Sequence, residues 1–188
     1  PLLLLPLLTR FFSPVDFGVF ALFMAIIQLL AISATFRLEM AVVLPKKDTD
    51  AAILCLRAFF SLLLISLLIL LVSILLWEFV ISLPPSEFST HTLGIPGWVH
   101  YRVIDDEYMP AAMYLVPIGA LFLGIYNILY SWNNRMELYK NMSYSHITHS
   151  IFSTPLSILF YLSPLKPFGL ILGQVIGRFL ACFLLLQN

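Results

Sequence analysis

Residues Thr35 to Asp50 read TFRLEMAVVLPKKDTD, and this stretch decides how the chain is organised. An apolar run that begins at Phe17 carries Arg37 and Glu39, continues through Ala41, Val42, Val43 and Leu44, and stops at Pro45-Lys46-Lys47. An ionised side chain at bilayer depth costs about 2.5–3.5 kcal/mol even on the generous insertion scale, so it faces a bundle interior or a wet cavity. Arg37 lies about two turns before Pro45, roughly 10 Å at the helical rise. Two readings therefore stand. Either Arg37 and Glu39 sit near the interface and snorkel to it, or they form a polar patch inside a bundle. Two residues apart, they do not share a helix face, so any ionic partner lies on another helix.

Composition fixes the class. The 188 residues are 61% hydrophobic and 11% charged, with a mean hydropathy of +0.97, against about 25% charged residues in a soluble domain. Several apolar runs are long enough to cross about 30 Å of hydrocarbon. An all-α, polytopic transmembrane bundle is expected. The formal net charge is zero, so no basic surface points to nucleic acid. Cys55 and Cys182 both lie in apolar runs and read as small buried residues. The chain opens on Pro1, and Leu2 to Leu8 is too short to cross a membrane, so a piece of a longer protein is expected.

Taken in order, residues 1–12 read as the end of a first helix. Ser13-Pro14-Val15-Asp16 is a helix start, with Ser13 to cap, Pro14 at the first helical position and Asp16 where a capping box needs its acid. The following helices are expected at about 14–44, 51–80, 110–132, 142–162 and 168–186, with one long polar loop at 84–109. Pro117 and Pro155 fall inside two of them. Lysine and arginine set orientation. Lys46, Lys47, Arg135 and Lys140 lie in two loops on one side, which places those loops in the cytoplasm and the long loop outside.

Four stretches then resemble, in order and at similar separations, the polysaccharide and O-antigen flippases of the multidrug/oligosaccharidyl-lipid/polysaccharide exporter superfamily. They are FSPVDFGVFALF, ATFRLEMAVVLPKKDTDAA, GIYNILYSWNNRMELYK and GLILGQVIGRFLA. The pattern departs at Val15, where the family usually has an acid. The resemblance implies a lobe of a two-lobe exporter with pseudo-symmetric halves. It also implies alternating access, coupled to a proton or sodium gradient, that carries undecaprenyl-diphosphate-linked oligosaccharide across the bacterial inner membrane. Lipids, the lipid-linked substrate and polysaccharide polymerase components are the partners it implies. No cofactor is expected.

The residues themselves offer matching features. Gly169, Gly173, Gly177 and Ala181 recur every four residues, a small-residue stripe that admits a close neighbour helix. Gln174 and Arg178 form a polar stripe beside it. Asn127, Tyr130 and Asn134 follow helical spacing, flanked by Tyr126 and Asn133. His146, His149, Ser150, Ser153 and Ser157 share one broad face. Packing hydrogen bonds and cavity lining are both open for these two sets. With Arg37 and Arg57, the stripes are expected to enclose a wet cationic cavity, since guanidinium forks pair well with phosphate oxygens. Arg37, Arg57, Asn127, Tyr130, Gln174 and Arg178 are the candidate cavity residues.

Catalytic and metal signals are weak. His91 and His100 lack ligand spacing, and there is no glycine-rich phosphate loop. A multipass polysaccharide polymerase or ligase would have to use Arg102 with Asp105, Asp106 and Glu107. A non-transporting scaffold would have no use for arginines within several helices.

Overall fold

The computed structural model describes residues 5–82, 109–162 and 168–186. All regular structure in them is helical: α1 (Leu5–Phe11), α2 (Pro14–Thr35), α3 (Leu38–Ala41), α4 (Asp48–Ser82), α5 (Met109–Arg135), α6 (Tyr139–Tyr161) and α7 (Gly169–Leu186). Residues 84–108 of the expected outside loop (84–109), and residues 163–167, lie outside the described residues.

The start of α2 is fixed locally. Asp16 N–H donates to Ser13 Oγ, while Ser13 N–H donates to the Asp16 carboxylate at 2.7 Å, a closed capping box with Pro14 in the first turn. Such a cap contributes about 1 kcal/mol.

The other end of α2 corrects the sequence reading. The helix was expected to run to about Leu44, but it stops at Thr35. Phe36 and Arg37 both adopt left-handed backbone (φ 51° and 56°), and a four-residue helix, α3, follows. Side-chain carbons make that conformation costly for non-glycine residues, so two in a row end a helix. Apolarity alone carried the expectation past this break. The Thr35 hydroxyl donates to the carbonyls of Ala31 and Ile32 in the last turn of α2.

α4 shows why the chain suits a membrane. Ala51, Ala58, Leu62 and Ser66 form its buried stripe, whereas Leu56, Phe60, Leu64, Leu67, Leu71 and Leu75 stay exposed. So wide an unpartnered apolar surface is foreign to water and ordinary in lipid. Ser66 turns its hydroxyl to the carbonyl of Pro117 on α5 at 3.2 Å. Among the described residues, four helices are long and apolar enough to cross a membrane: Asp16–Thr35, Asp48–Leu75, Tyr114–Arg135 and Gly169–Leu186. α6 is long enough at 23 residues, but its serines, threonines and histidines make it too polar to count by composition.

Of three buried clusters among the described residues, two join α2 to its neighbours. Phe23, Ile27 and Ala31 of α2 pack on Ala120 and Leu123 of α5 and on Ile171 and Val175 of α7. Ala34, Ala58, Leu62 and Ile128 join α2, α4 and α5 nearer the Thr35 end. The most intimate contact is between α6 and α7. A Cβ on Gly173 would meet the Ser157 hydroxyl, the Ser153 carbonyl at 2.6 Å and the Ser157 nitrogen at 2.8 Å. Gly169 and Gly177 face the same ridge, against Ser157 and Ser153 respectively.

Candidate functional site

Polar side chains gather where α5, α6 and α7 meet. Arg178, on α7 with no acid beside it in sequence, lays its guanidinium over the Tyr126 ring of α5, 5.3 Å from the centroid. Among the described residues no carboxylate lies within ion-pair distance of it. The ring faces give the cation an electrostatic partner worth about 0.5–2 kcal/mol. Tyr130 stacks on Tyr126 at 5.9 Å, and His146 of α6 packs edge-on to both rings. The Tyr126 hydroxyl reaches Ser145 Oγ at 3.3 Å. A small hollow of about 10 Å³ touches Arg178, Gln174, Gly119 and Met24. It is no larger than one water's needs.

One turn away is a larger cavity of about 210 Å³ between α1, α2, α6 and α7. Leu8, Phe17, Phe20 and Leu170 form its apolar walls; His149, Ser150, Ser153, Thr154, Ser157 and Gln174 form the polar one. The Nε2 of His149 and the Oε1 of Gln174 are buried without a hydrogen-bond partner of good geometry among the described residues. The two side chains are nevertheless close enough to interact. Gln174 lines both this cavity and the Arg178 hollow, which makes them neighbours.

The candidate residues therefore divide. Gln174, Arg178 and Tyr130 come together, with Asn127 half-buried on the same helix as Tyr130. Arg37 and Arg57 are exposed and line neither cavity. Arg37 contacts Met40, and nothing brings it to Arg178. Of the three candidate arginines, Arg178 lies with the polar side chains of α5, α6 and α7. Glu39 is buried at 6% exposure with its Oε2 unpartnered, at the far end of the bundle from the cavity. Of the two readings of Arg37 and Glu39, a shared interior patch does not form: one side chain points out and the other in.

Two residues carry more than the sequence indicated. Asn133 is almost fully buried and donates to the carbonyls of Leu129 and Leu185, tying α5 to the end of α7. Arg135, read only as a basic loop residue, belongs to α5 and grips the segment between α3 and α4. Its Nη1 donates to the carbonyls of Val42 and Pro45, and its Nη2 meets Asp48 Oδ1 at 2.8 Å.

Long apolar helices around a polar seam define a multipass membrane protein. Residues 7–89 match the family model described as polysaccharide biosynthesis protein, which supports the polysaccharide flippase family that the four stretches resemble. Neither the comparison with curated proteins nor that with solved structures returns a match.

Proposed function

We propose that the protein is a flippase that moves undecaprenyl-diphosphate-linked oligosaccharide across the bacterial inner membrane for surface polysaccharide synthesis. The family match over residues 7–89 supports a role in polysaccharide biosynthesis. The transport reading is carried by Arg178, a cation held among aromatic and polar side chains within a helix that can cross the membrane. Charged groups at such depth mark substrate or ion paths. A guanidinium stays charged there and offers a fork of donors to phosphate oxygens. Alternating access driven by an ion gradient belongs to the same proposal, as does cooperation with a polymerase on the outer face.

A chromosomal deletion tests it. The strain is expected to lose surface polysaccharide, to accumulate lipid-linked oligosaccharide on the cytoplasmic face, and to recover both on expression of the full chain. Accumulation on the periplasmic face instead would place the protein after translocation and contradict the proposal.

A further inference from the structure

Building on the flippase reading, we propose that the cavity between α1, α2, α6 and α7 is a subsite for one uncharged sugar ring, distinct from the arginine that meets the diphosphate. Its size sets the first limit. About 210 Å³ falls below the roughly 300 Å³ at which drug-sized pockets begin, so a single ring fits and a whole repeat unit does not.

Chemistry sets the second. A sugar ring presents apolar C–H faces and hydroxyl edges, and the cavity offers both kinds of surface. Phe17 and Phe20 stand on one side, the hydroxyl and amide groups of α6 and α7 on the other. No charged side chain is among the described residues that line it. A phosphate buried there would lack a countercharge, which strongly disfavours it.

Donor and acceptor balance sets the third. The Ser157 hydroxyl donates to the Ser153 carbonyl at 2.8 Å and that of Thr154 to the Ser150 carbonyl. Their lone pairs are left to accept, which suits a ligand rich in O–H donors. His149 Nε2 and Gln174 Oε1, buried side by side with no hydrogen bond of good geometry among the described residues, complete the set. In the Nε2–H tautomer a single hydroxyl group can accept from His149 and donate to Gln174, satisfying both. Gln174 also borders the Arg178 hollow, so the cavity and the arginine lie one helical turn apart on α7.

Cysteine protection separates this subsite from transport itself. Ser150→Cys is made in the full chain with Cys55→Ala and Cys182→Ala, and its labelling by a small maleimide is followed in native membranes. Thr154→Cys, on the same cavity, serves if that variant fails to accumulate. N-acetylglucosamine, glucose and galactose are titrated against inorganic diphosphate as the probes. At about four times its dissociation constant a bound sugar slows labelling about fivefold, by mass action. At least one sugar is expected to protect, and diphosphate is not. Protection by diphosphate alone, no protection by any sugar, or a cysteine that never reacts would each overturn the subsite. Those results would leave the flippase reading standing wherever the parent protein still restores export. Sugar protection in a protein that restores no export would sink the flippase reading alone.

Discussion

Arg135 donates to the carbonyls of Val42 and Pro45 at 3.0 and 2.7 Å, so the end of α5 holds the break between α3 and α4 in place. Its second contact, to Asp48, pairs it with an acid that is 75% exposed. Exposed ion pairs contribute about 0–1 kcal/mol, whereas hydrogen bonds from a charged donor contribute about 1.5–3 kcal/mol. The carbonyls therefore matter more than the carboxylate.

Arg135→Ala is expected to loosen the 42–48 segment and speed tryptic cleavage at Lys46 and Lys47 in inside-out vesicles. Asp48→Asn is expected to change it little. Equal acceleration by both substitutions would show that the ion pair, and not the carbonyl grip, holds the turn.

The α6–α7 contact predicts a sharp contrast between glycines. Gly173→Ala drives a methyl into Ser153 and Ser157 backbone atoms, and overpacking of this kind costs about 1–3 kcal/mol. Gly18→Ala meets nothing within 4 Å and is expected to be neutral or stabilising by up to about 1 kcal/mol, as alanine replaces glycine in a helix. Thermal melting in detergent distinguishes them. Adding Ser157→Ala to Gly173→Ala is expected to restore only part of the loss, because two of the three close atoms are backbone.

Orientation is checked by single cysteines at positions 89 and 134, with Cys55 and Cys182 replaced. An impermeant maleimide applied to intact cells is expected to label position 89 and not 134. The reverse pattern would invert the bundle and move Arg135 to the outer face.

Much of the bundle was legible because lipid imposes length and apolarity directly. The α2 cap was readable from Ser13, Pro14 and Asp16, whose spacing is a local code. The stop at Thr35 was not, since Phe36 and Arg37 carry no glycine or asparagine to announce left-handed backbone. Arg178 stood out in sequence as a charge in an apolar helix. Arg57 stood out equally, yet faces outward, because a helix with a nearly continuous apolar surface gives periodicity no purchase. The Arg135 grip joins residues about ninety positions apart in sequence, and local pattern cannot express such a pairing. The cavity was half visible: the serines and histidines of α6 share a face, but Phe17 and Phe20 enter it only through packing.

The most direct test of transport through the polar seam is Arg178→Ala in the full chain, with surface polysaccharide and membrane abundance measured together. The account predicts export abolished or sharply reduced at near-normal abundance, and partial retention in Arg178→Lys, where charge survives without the bidentate fork. Abundance is expected to hold because Arg178 leans on Tyr126 and leaves no buried carboxylate behind when removed. Normal export from Arg178→Ala at normal abundance would contradict it.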